Sequence, residues 1–176
     1  MKRSGIRIKR WLTHIFALRT ADLRHGYLGA MIMILCASFI RLLSGSPYRS
    51  YLLLQSTCLM PPLSLLSLIN LFFTAAMGFA CGLVLSCHRR SARELKYQGG
   101  MLFILLAVFW FGIYPLIFRG GMLFTAFLLL IAAWILTLGC VLIFSHIQIL
   151  AGGICATFLC WLTYLAISLL GCILRL

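Results

Sequence analysis

"MPPLSLLSLINLFFTAAMGFACG" (Met60–Gly82) opens on two prolines and continues as a long apolar run with one amide, Asn70, and no charge. Roughly 20 predominantly apolar residues are needed to cross the hydrocarbon of a bilayer as a helix. The stretch therefore reads as a membrane-spanning helix entered through a rigid corner. Proline is tolerated in a first helical turn because its missing N–H would have been unpaired there. Pro61 and Pro62 then set the angle at which the preceding loop arrives.

Four further runs of this kind flank it, so the expected spans are about 27–43, 61–86, 100–118, 122–144 and 147–174. Composition agrees: the 176 residues are 64% hydrophobic and only 10% charged, where soluble domains carry about a quarter charged. Backbone groups in lipid are satisfied only in helices or closed barrels. Barrel strands alternate polar and apolar residues, and "LFTAFLLLIAAWIL" (123–136) does not. The expectation is an all-α integral membrane protein, a five-helix bundle in one domain over 26–176, preceded by a basic segment at 1–25. Short links, "RGG" (119–121) and "SHIQ" (145–148), make the last three helices antiparallel neighbours. The one substantial loop is 44–60.

Fifteen Lys and Arg stand against two acids, a net charge of +13. Seven of the fifteen lie in the first 24 residues, and Arg89, Arg90, Arg93 and Lys96 lie between the second and third spans. A five-helix count puts both clusters on one side, so the positive-inside rule places the N-terminus in the cytoplasm of a plasma-membrane protein. The charge is then a solvated flank and calls for no nucleic acid. Within 1–25, Ile8, Trp11, Leu12, Ile15 and Phe16 share one helical face among basic residues. Such a segment either lies on an anionic leaflet or only sets topology. No clean signal-peptide cleavage site follows it.

The eight cysteines show no C-x-x-C pair, and the four histidines sit in flanks and loops. This spacing implies no metal site, and the cysteines read as small packing residues. The two acids, Asp22 and Glu94, lie outside the apolar runs. No acid–base pair, activated nucleophile or intramembrane proton carrier is in view, so catalysis is not expected. Thr74, Gly78, Gly82 and Ser86 recur every four residues. This small-residue ridge lets a helix approach closely, either within the bundle or across a homodimer through Gly78 and Gly82. Asn70 has two readings: an interhelical hydrogen bond or a cavity wall.

The chain resembles the TspO/MBR family (translocator protein / tryptophan-rich sensory protein). That family's first loop and second helix read W-Y-x-x-L-x-K-P-S-x-x-P-P-x-W-x-x-x-P-x-W-x-x-L-Y-x-x-M-G. Laid without a gap on Ser50–Gly78, Tyr51, Leu54, Pro61, Pro62, Met77 and Gly78 coincide, and Phe73 replaces a leucine. "YPLIF" (114–118) is similar to W-x-P-L-F-F. "FLCWLTYLA" (158–166) is similar to P-Y-L-x-W-x-x-F-A, with Trp161 and Tyr164 on the aromatic positions. Ser50, Ser64 and Asn70 stand where the family has tryptophans, Ser56 and Thr57 replace its lysine and proline, and Thr74 replaces its tyrosine.

The resemblance implies an intramembrane pocket beneath the first loop for a small hydrophobic ligand. A porphyrin or haem-like tetrapyrrole is the candidate ligand, and no cofactor is required. On this chain the implied ligand-binding residues are Tyr51, Pro61, Pro62, Ser64, Asn70, Thr74, Trp110, Trp161 and Tyr164. Ser64, Asn70 and Thr74 then offer hydrogen bonds where rings stood, Trp110 and Trp161 supply the stacking surface, and Tyr51 helps to close the lid. The implied role is that of a sensor, carrier or regulator. The alternative is a non-catalytic accessory or substrate-capturing subunit of a membrane transport complex.

Overall fold

A computed structural model describes residues 20–44, 61–87, 93–118 and 122–174. Every regular element among them is a helix: α1 (Thr20–Ser44), α2 (Leu63–Ser86), α3 (Arg93–Phe118), α4 (Leu123–Ile147) and α5 (Ile149–Ile173). All five are long and apolar enough to cross a membrane, so the chain is an all-α membrane bundle of five helices. Tyr51 with the rest of 45–60, residues 1–19 and the arginines at 89–90 lie outside the described residues.

Helix ends differ from the edges of the apolar runs for local reasons. α3 begins at Arg93, well before its apolar run, because Arg93, Glu94, Leu95, Lys96 and Gln98 are good helix formers. Glu94 also lies in the first turn, where the helix dipole favours an acid. The two prolines lie just outside α2 and not in its first turn. Pro62 is the N-cap in an extended conformation (φ −50°, ψ 143°), and its carbonyl accepts from the Leu66 N–H at 3.0 Å. A residue before proline is pushed away from helical angles, which keeps Pro61 out of the helix. The α4–α5 link shrinks from four residues to one: Gln148 alone is extended, its N–H donating to Phe144 O at 2.7 Å. So sharp a reversal needs Gly152, where an added Cβ would lie 2.7 Å from the Ser145 Cα.

Around the bundle the helices run α1, α2, α5, α4, α3, with α3 returning to α1. α4 packs antiparallel to both of its neighbours, as short links require. The core is made of small residues at helix contacts, Ala80, Ala126, Ala133, Cys140, Ala151 and Cys155, filled in by Leu83, Phe144 and Leu162. In lipid, where tails are as apolar as leucine, such close backbone approach takes the place of a hydrophobic driving force.

The tightest contact joins α1 and α2 near the cytoplasmic end expected from charge. A Cβ on Gly29 would meet Gly78 O at 2.3 Å, one on Gly78 would meet Gly29 O at 2.4 Å, and one on Gly82 would meet His25 O at 2.2 Å. No side chain fits at those distances. The Gly78–Gly82 ridge thus receives α1 of the same chain, and a homodimer contact on this face would have to displace α1.

One cysteine departs from the packing role. Cys172, buried in the last turns of α5, is disulfide-bonded, whereas Cys36, Cys81, Cys87, Cys140, Cys155 and Cys160 are free. Of the eight cysteines, Cys58 alone lies outside the described residues. A bridge of this kind joins residues that only the fold brings together, so spacing along the chain does not reveal it.

Candidate functional site

The face of α2 that meets α1 changes character along its length. Toward the C-terminal end of α2 it carries Gly78 and Gly82, and toward the N-terminal end it carries Ser67, Leu71 and Thr74 with Asn70 beside them. Where the glycines stop, residues with larger side chains line the seam. Between α1, α2 and α3 lies a partly open cleft with about 90 Å³ of free space. Ala37, Ser38 and Arg41 form the α1 wall; Ser67, Asn70 and Thr74 the α2 wall; Trp110, Phe111 and Tyr114 the α3 wall.

Polar groups meet there in three tiers along roughly 10 Å of α2, from Ser67 to Thr74. At the mouth, the Arg41 guanidinium donates to Ser67 Oγ. In the middle, Asn70 Oδ1 accepts from Trp161 Nε1 at 2.8 Å. The Asn70 amide N–H2 is then the group left to meet the Tyr114 hydroxyl, which lies against it and within reach of the Arg41 charge. Deepest, Trp110 Nε1 donates to Thr74 Oγ1 at 3.2 Å, and that hydroxyl donates to Asn70 O at 2.7 Å. Every buried side-chain polar atom among the described residues has a partner. This is the arrangement lipid demands, since an unpaired polar group there costs several kcal/mol. Asn70 therefore does both things open to it: it ties α2 to α5 and lines the cleft.

Trp110 is 4% exposed and packs edge-on against Phe158 (5.2 Å, 84°) and Tyr114 (6.2 Å, 88°). Below it lies only a narrow gap of about 10 Å³, walled mainly by apolar side chains including Met33, Met77, Phe103 and Phe158 and sharing Thr74 and Trp110 with the cleft. Charge at the mouth therefore gives way to an apolar floor.

The expected site residues separate into two groups. Asn70, Thr74 and Trp110 come together in the cleft. Trp161 touches it only through Asn70, because its ring lies in the α2–α5 seam between Phe73 (5.6 Å, 17°) and Tyr164 (5.3 Å, 24°). Pro61, Pro62, the exposed Ser64 and Tyr164 are not among the cleft's walls, and Tyr51 is outside the described residues. Trp134 donates to Thr163 across the α4–α5 seam, away from the cleft.

Arg41, Ser67 and Tyr114 were not in the sequence-derived site. Two signals pointed to them. Ser64, Ser67, Asn70 and Thr74 recur three or four apart, a polar stripe on an otherwise apolar helix. Arg41 is a lone cation inside an apolar run, and such residues tend to mark function. Tyr114 is followed by Pro115, which leaves the Phe111 carbonyl without its usual helical donor at the cleft wall.

Comparison with known proteins adds one positive finding. The family model described as TspO/MBR family matches residues 29–174, a span that takes in all three walls of the cleft. Neither a curated protein nor a solved structure matches the chain.

Proposed function

Because the chain belongs to the TspO/MBR family, we propose that it binds a small, largely apolar ligand in the cleft between α1, α2 and α3. A porphyrin-type tetrapyrrole is the first candidate, and the protein acts on it without catalysis, as sensor, carrier or regulator. The observation that carries this reading is the cleft itself: Asn70, Thr74 and Trp110 converge on a partly open space inside the apolar part of the bundle. Ligand sites are concave, mostly apolar and fixed by a few polar groups. Asn70 and Thr74 supply direction, and Trp110 with Phe111 supplies ring surface.

The protein is read as sitting in a plasma membrane with its N-terminus in the cytoplasm. Two independent features support that orientation. Basic residues crowd the end holding the N-terminus and the 88–97 stretch. The disulfide-bonded Cys172 lies at the opposite end, and disulfides persist on oxidising sides of membranes.

The test is a titration of protoporphyrin IX into purified protein in neutral detergent, followed by its absorbance band, with Trp110→Phe and Asn70→Ala alongside. Saturable binding weakened by both substitutions is expected. Binding that never saturates, or that ignores both, would sink the reading and turn attention to an accessory-subunit role.

A further inference from the structure

The cleft's mouth carries a cation, and no acidic side chain of the described residues lines the cleft beside it. The only side-chain carboxylates in the chain are Asp22 and Glu94. Asp22 is nineteen residues from Arg41 on the same helix, about 28 Å along the axis. Glu94 is twenty residues from Tyr114 on α3, about 30 Å from the tier that Arg41 reaches. An arginine three residues from a helix end ordinarily extends outward to the headgroups. Arg41 instead turns across the seam and donates to Ser67 Oγ on α2, close enough to Tyr114 for its charge to act on that hydroxyl. A guanidinium and two hydroxyls from three helices thus line the same cleft as Trp110.

Resting on the reading that the cleft holds a ligand, we infer that Arg41 selects ligands bearing a carboxylate and seats that group at the mouth, with Ser67 and Tyr114 as its further donors. Guanidinium offers a planar fork that matches a carboxylate, and such charge-assisted bonds are about twice as strong as neutral ones. The tiers set the ligand's direction: acid end at the mouth, apolar body against Trp110. The polar residues between these two ends hold one another in hydrogen bonds, so the arginine is the group that discriminates.

The experiment compares protoporphyrin IX with its dimethyl ester, which keeps the ring and removes the acids. Wild type, Arg41→Gln and Arg41→Lys are titrated with both in neutral detergent. The acid binds wild type about tenfold tighter or more, the worth of one hydrogen bond to a charged group. Arg41→Gln lowers the acid to the ester's affinity and leaves the ester unchanged, and Arg41→Lys keeps part of the preference. Equal binding of acid and ester, or a preference that survives Arg41→Gln, overturns the inference and leaves the binding site standing. Saturable binding of neither compound removes both. The titrations are repeated in nanodiscs of zwitterionic lipid with and without phosphatidylglycerol. If the anionic lipid erases the preference in wild type, Arg41 is a headgroup contact and the inference fails.

Discussion

The two ends of the α1–α2 seam are made by the same pair of helices and behave as opposites. At one end, Gly29, Gly78 and Gly82 bring backbone against backbone with no space for a Cβ. At the other, Ser38, Arg41, Ser67 and Asn70 stand in a cleft. Glycine pins the pair at one end, and side chains of ordinary size border a cleft at the other. The cleft is thus a consequence of where the small residues stop, and its polarity follows from what replaces them.

The comparison breaks most easily at the pinned end. Gly78→Leu drives a side chain into Gly29 and Met33, and overpacking of this kind costs about 3 kcal/mol or more. The melting temperature in detergent falls by roughly 10 °C, or folded protein is lost. A melt unchanged by Gly78→Leu would show that the seam is not pinned there. Asn70→Ala comes next, because it strands the Trp161 N–H and removes the partner of Tyr114. A cost of about 1–3 kcal/mol follows from the desolvated donors, read from the same melt. Thr74→Val keeps the shape and takes away the acceptor of Trp110. Interhelical hydrogen bonds in membranes average about 0.6 kcal/mol, so the shift is small and shows first in the Trp110 emission maximum. Arg41→Gln has the least effect on the fold, within about 0.5 kcal/mol, since the side chain is exposed at the mouth. Its measurable effect is on ligand choice.

The helix count and antiparallel order were legible because hydropathy reports lipid contact directly. Where helices begin was less so: Arg93–Gln98 are polar yet helical, and hydropathy marks where lipid begins and not where the helix does. The α2 wall was within reach, since Asn70 and Thr74 sit on a polar stripe of regular spacing. Trp161 shows the limit of reading by aromatic position. Its ring is taken by Phe73 and Tyr164, and only packing between helices distant in sequence decides that. Arg41 and Tyr114 join the site for the same reason, being brought to α2 by helices more than twenty residues away along the chain. The bond at Cys172 belongs with them.

The account's central claim is that the cleft end holds the ligand while the pinned end only holds the helices. Ala37 lines the cleft on α1 and takes no part in the glycine contact, so Ala37→Phe fills the space and leaves the seam alone. Protoporphyrin IX titrated into this variant and wild type, with a melt of each, tests the claim directly. The account predicts saturable binding to wild type, its loss in Ala37→Phe, and unchanged melting. Equal binding to both proteins would contradict it and place the ligand elsewhere in the bundle.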